Sequence, residues 1–132
     1  MLLVKHFVST SSIHNLGLFI GEAVIKDCPI WRFEPEYDVE IPETILDEFD
    51  DTLRHLVLDC AEYFSDRRIY RLGNDADIFM NHSETPNLID LGDVMIAARD
   101  IAVGEELTCD YRKVHVANYR PPGERVLEIP PP

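Results

Sequence analysis

A chain of 132 residues, 45% of them apolar, is long enough for one domain with a real core and too short for two. Its 12 basic and 25 acidic side chains give a formal charge of −13. Such a surface repels nucleic-acid phosphates and attracts Lys- or Arg-rich peptides. No apolar run approaches the roughly 20 residues that span a bilayer. The opening residues 1–6 are too short for the apolar region of a signal peptide, so the expectation is a soluble, intracellular, cytoplasmic protein. Cys28, Cys60 and Cys109 are odd in number, widely spaced and without a Cys-x-x-Cys pair, which argues against a disulfide framework or a structural zinc site.

Residues 3–10 carry Val4, Phe7, Val8 and Thr10 and predict a first strand. A turn-rich loop at 11–17 leads to a second, at 18–20. Ile30-Trp31-Arg32-Phe33 alternates bulky and polar groups as a third strand would, and Pro35 and Pro42 bracket an acidic linker. From Pro42 to Phe64 the spacing predicts one helix: Ile45, Phe49, Leu53, Leu56, Cys60 and Phe64 recur at steps of three and four, with Leu46 and Val57 widening the stripe. Pro42 suits its first turn, Glu43, Asp47 and Glu48 its positive end, and Arg67-Arg68 lie just past its negative end. A strand at 68–72 stops at Gly73-Asn74-Asp75, and three more are expected at 87–90, 94–98 and 107–109, the first two joined by a hairpin turn at Gly92-Asp93. The expectation is a β-rich α+β domain over residues 1–115, followed by a proline-rich tail at 116–132 that is extended or disordered.

Two stretches fit neither ordinary core nor ordinary loop. Phe79-Met80-Asn81-His82-Ser83, with Pro86-Asn87 close behind, sets an Asn-His-Ser cluster after an apolar pair; Gly104-Glu105-Glu106-Leu107-Thr108-Cys109-Asp110-Tyr111 runs from a glycine turn into a strand that ends on a tyrosine. Together they resemble the late motifs of the SET domain, Arg-Phe-Ile-Asn-His-Ser-Cys-x-Pro-Asn and Gly-Glu-Glu-Leu-Thr-x-x-Tyr. Residues 12–19 resemble its first motif, a Gly-x-Gly loop feeding a strand, with Asn15 in place of the first glycine and only Gly17 kept. Asn is among the few residues that tolerate positive φ, so the turn can survive. Ile78 stands where arginine is usual and Glu84 where many members carry a zinc-ligand cysteine, and no cysteine-rich flank is present. The layout is that of the compact, zinc-free bacterial and viral members.

The resemblance implies a fold of several short sheets with a pseudoknot and one main helix. It implies methyl transfer from S-adenosylmethionine to the ε-amine of a lysine in a protein or peptide, expected to be basic. Carried over residue by residue, Tyr111 is the active-site tyrosine. His14, Asn15, Leu16, Gly17, Asn81 and His82 contact the cofactor, and Phe33 and Tyr111 line the lysine channel. Phe33 stands where a tyrosine is frequent, which leaves the number of methyl groups accepted open. Trp31 and Tyr70 read as core or as pocket wall. A free lysine has a pKa of about 10.4 and must lose a proton first; a dehydrated channel beside a sulfonium favours the neutral amine by desolvation and like-charge repulsion. Without a closing zinc-bound segment, an exposed edge or the tail also predicts a homodimer.

Three other readings compete. One is a SET-fold module that binds S-adenosylmethionine or a basic peptide without turnover. Another is a cysteine nucleophile, if Cys109 meets His82, although no cysteine-protease signature surrounds it. Metal binding by His6, His14, His55, His82 and His115 lacks close His or Cys pairs.

Overall fold

The computed structural model describes residues 1–116, so the proline-rich tail lies, beyond Val116, outside the described residues. In chain order the elements are β1 (His6–Thr10), β2 (Leu16–Ile20), β3 (Pro29–Arg32), β4 (Val39–Pro42), α1 (Glu43–Leu46), α2 (Asp51–Cys60), β5 (Glu62–Phe64) and β6 (Ile69–Leu72). A 3-10 turn (Ala76–Phe79), β7 (Asn81–His82), β8 (Leu88–Asp90), β9 (Val94–Ala97) and β10 (Thr108–Cys109) complete them. They form four small sheets: β1-β2, β3-β9-β8 and β4-β6-β5, all antiparallel, and the parallel pair β10-β7. The β-rich α+β class expected from the sequence is the one found. Among the described residues no helix is long and apolar enough to cross a membrane.

The main core gathers buried residues of the β1-β2, β3-β9-β8 and β10-β7 sheets. Leu18 and Ile20 of β2, Ile30 of β3, Leu88 of β8, Ile101 and Leu107 are all 2% exposed or less. Period-two alternation sends successive side chains to opposite faces, so Phe19, between Leu18 and Ile20, turns outward and stacks on Phe7 at 5.5 Å. A second core under α2 holds Ile41, Leu46, Val57, Ala61 and Tyr70.

The single helix expected over residues 42–64 is corrected. Part of the acidic linker is strand β4, and a one-turn helix follows it. The chain then tightens through i→i−3 bonds, Glu48 N to Ile45 O (3.1 Å) and Phe49 N to Leu46 O (3.2 Å). Asp50 restarts it: its carboxylate accepts the Leu53 N–H at 2.8 Å and caps α2. The helix stops at Cys60 because Ala61 turns extended and residues 62–64 pair with β6. Val57 is the fully buried residue of α2, whereas Leu53, Leu56 and Cys60 of the predicted stripe are exposed. The periodic count had joined a helical turn, a helix and a strand that do not share an axis.

Candidate active site

Residues 104–109 run between two partners, and this passage builds the site. On one side they meet β2, through Gly104 N to Ile20 O (2.9 Å), Ile20 N to Glu105 O (3.0 Å) and Leu107 N to Leu18 O (2.7 Å). On the other they meet β7, with Thr108 opposite Asn81 and Cys109 opposite His82. Asn87 clamps the crossing: its side chain donates to Glu106 O (2.8 Å) and accepts from Thr108 N (2.9 Å). The pseudoknot expected from the motifs is therefore present, and it brings residues 11–17, 79–87 and 104–111 together.

At the junction a part-buried polar network joins all three motifs. The Glu106 carboxylate accepts from Ser11 Oγ (2.7 and 2.9 Å) and from Asn81 Nδ2 (2.9 Å). The same Asn81 amide lies 3.2 Å from His14 O and 3.0 Å from Leu16 O, so its two hydrogens are shared along the 13–16 loop. Gly17 makes this possible, because a Cβ there would stand 2.6 Å from Glu106 Oε2. Asn15 takes the positive φ (38°) that the missing first glycine would have supplied. Ser11 and Glu106 had been given no role in the sequence reading. The signal available for Glu106 was its place inside the Gly-Glu-Glu motif; Ser11 carried none.

These segments wall a cavity of about 860 Å³. His14, Asn15 and Leu16 line it together with Asn81, His82 and Tyr111, while Gly17 contributes through Glu106 rather than by lining it. The Tyr111 hydroxyl donates to Met80 O, and its ring meets His82 edge-on with centroids 5.5 Å apart. His82 Nδ1 accepts the Tyr111 N–H at 3.1 Å. An amide can only donate, so the neutral imidazole carries its proton on Nε2.

Arg71, Glu62 and Asp77, to which the sequence analysis assigns no role, also line the cavity. Arg71, 4% exposed, lies over the Phe33 ring at 3.8 Å and the Phe64 ring at 4.4 Å, and pairs with Asp93 at 3.0 Å. Arg71 reaches the cavity and covers one face of the Phe33 ring. Trp31 lines the cavity, while Tyr70 belongs to the second core. Burial, reinforced by the neighbouring Asp90 carboxyl, pushes Glu62 up to about 9. Burial, with Asp75 beside it, pushes Asp77 up to about 7. Cys109 does stand opposite His82, but burial raises its thiol far above the usual range and keeps it protonated, which removes the nucleophile reading. Among the described residues no group of three or more His, Cys, Asp or Glu could hold a metal ion.

The SET domain family model matches residues 9–112. The chain belongs to the SET domain family. That family's activity is S-adenosylmethionine-dependent methylation of lysines in proteins, and this SET domain is an enzyme of that kind. Its fold is similar to a crystal structure from Plasmodium falciparum described as a "putative histone methyltransferase", with a TM-score of 0.57 and 22% identity over 83% of this chain and 95% of that one. A comparison with the curated proteins finds no match.

The cavity of this SET domain fits the family's cofactor. Its size lies within the roughly 300–1,000 Å³ of small-molecule sites. The one guanidinium among its lining side chains, Arg71, is already paired with Asp93, so a cationic sulfonium meets no uncompensated guanidinium.

Proposed function

We propose that this chain binds S-adenosylmethionine along the 13–16 loop and methylates lysine ε-amines of a basic protein or peptide, with Tyr111 at the reacting centre. The observation that carries this reading is the meeting of all three motif segments on one cavity, which Tyr111 and Trp31 also line. When bound, the cofactor supplies an electrophilic methyl group on sulfur. The chain's own residues do the rest. Asn81, Glu106 and Ser11 hold the backbone of His14, Asn15, Leu16 and Gly17 in place, and His82 anchors the Tyr111 backbone. Tyr111, its hydroxyl oriented by Met80 O, offers a lone pair toward the amine and an aromatic wall to a cationic nitrogen. Alignment of nitrogen, carbon and sulfur by such a rigid frame is worth roughly 7–11 kcal/mol. Phe33 enters indirectly, by fixing Arg71, and its channel role is thus that of a support.

The acidic surface supports a basic partner, whose encounter it would speed at low salt. A second copy of the chain is the further partner we assign: every residue of β1 is exposed, and among the described residues it pairs with β2 alone, which leaves an open edge. We also assign the catalytic unit to residues 1–115.

Calorimetry with S-adenosylmethionine, followed by methyl incorporation into a lysine-rich peptide mixture, tests the reading. The expected result is binding with transfer, and transfer lost by about 100-fold or more in Tyr111→Phe with cofactor affinity retained. Binding with no transfer by the wild-type chain would leave a cofactor-binding module instead.

A further inference from the structure

Contact with the cavity does not end at Tyr111. Val114 and Val116 line it as well, and both pack on the main core. A single turn of chain puts them there. The Lys113 and Val114 N–H groups donate to Asp110 O at 2.9 and 3.2 Å, so Tyr111 and Val114, three residues apart in a helical turn, share a face. The Asp110 carboxylate fixes the start of that turn: Oδ1 accepts from Arg112 N and Nε and Oδ2 from Arg112 Nη2, all at 3.0 Å. The Val116 N–H then reaches back to Tyr111 O at 3.2 Å, the six-to-one bond of a Schellman turn. Val116 also forms an antiparallel bridge with Glu62, at the start of β5. Residues 111–116 are thus a strap, clamped by Asp110 at one end and bridged to Glu62 at the other.

The strap carries strain at one position. A Schellman turn needs a left-handed residue just before its last donor, and glycine is the usual one. Here His115 takes that conformation, with φ 54°. Its Cβ crowds the following carbonyl, and its exposed imidazole gains no buried contact in exchange. Relative to glycine, the strap is shifted toward opening by roughly tenfold.

We propose that Val114 and Val116 grip the methylene stem of the target lysine beside Tyr111, and that the strained turn at His115 lets the strap lift to admit it. This rests on the methyltransferase reading. The working unit then runs through Val116. The chemistry of the wall suits the ligand: a lysine carries an apolar stem below its charged end, and two valines offer that stem apolar surface. Closing over the stem also expels water, which favours the neutral amine. The cofactor loop at 13–16 hangs from Asn81 and Glu106 instead, so the strap acts on the peptide and leaves the cofactor alone.

Trp31 supplies a probe that needs no turnover. It is the single tryptophan of the chain, lines the cavity at 6% exposure and is held by Asp77 through its Nε1, so acrylamide quenching of its fluorescence reads how often the strap lifts. His115→Gly, which relieves the turn, should lower the quenching several-fold. Val116→Ser, which trades the apolar wall for a hydroxyl, should raise it. With cofactor loaded, the lysine-rich peptide mixture should lower quenching in the wild-type chain and fail to do so in Val116→Ser. In transfer assays Val116→Ser should raise KM for the peptide mixture about tenfold, with S-adenosylmethionine affinity by calorimetry unchanged. His115→Gly should lower kcat, because a tighter strap slows release. Equal quenching in all three proteins overturns the inference, as does an unchanged KM in Val116→Ser. A parallel loss of cofactor affinity also overturns it, by making the strap a brace for the whole site. Quenching that follows the strap and the peptide, with no transfer by the wild-type chain, overturns only the reading of activity.

Discussion

Glu106 ties the three motif segments together, since it binds Ser11 and Asn81 and its carboxylate occupies the space that a Cβ at position 17 would enter. Removing it takes the charged acceptor from the Asn81 amide, which is 7% exposed, and from the Ser11 hydroxyl, leaving the amide only the weaker bonds to Ser11 Oγ and the His14 and Leu16 carbonyls. Glu106→Ala should therefore cost about 2 kcal/mol in urea denaturation and weaken S-adenosylmethionine binding, because the 13–16 loop loses its anchor. Equal cofactor affinity in the variant would show that the loop holds itself. Glu62 carries a different signature. Its folded pKa lies near 9, above the ordinary carboxylate value, so the stability it contributes is present at low pH and is lost as pH rises through about 9. Glu62→Gln cannot ionise, so its urea midpoint relative to wild type should climb between pH 5.5 and pH 9. A constant difference would place the carboxyl in water.

At the scale of the element, α2 shows how a single cap decides a boundary. Asp50 supplies the only side-chain oxygen found on its first-turn amides among the described residues. Asp50→Ala should lower stability by about 1 kcal/mol, read from the thermal midpoint, while methyl transfer persists. The helix packs Val57 and Leu58 inward on the second core, and its last turn brings Asp59 and Cys60 to the cavity, so fraying of its first turn does not reach the knot. Loss of activity in parallel with helicity would contradict that separation.

For the molecule as a whole, four small sheets share two cores, and none of the sheets is large enough to be stable alone. Long-range bonds through residues 104–109 hold them together. The exposed β1 edge, with Phe7 45% and Val8 38% exposed, is where two copies would join. Light scattering should give twice the mass of a 132-residue chain, and Val8→Lys should return it to the monomer. A monomeric wild type at micromolar concentration would remove the second copy from the reading.

The motifs were legible in the chain because they are local. Gly17, Asn81 and Tyr111 lie in short runs whose residue types already narrow the chemistry, and Asn15 was readable as a glycine substitute because few other side chains accept positive φ. Most strands were legible for the same reason, since β-branched and aromatic runs between turn residues describe nearest-neighbour preferences. The helix over residues 42–64 was misread because periodicity registers spacing alone and is blind to a cap that starts a new axis. What the tertiary structure alone decided were meetings between distant residues: Glu106 with Ser11, Arg71 over Phe33, and Trp31 on Asp77. No local preference encodes them, because each depends on which buried surfaces come to face one another once the segment at 104–109 has passed between β2 and β7.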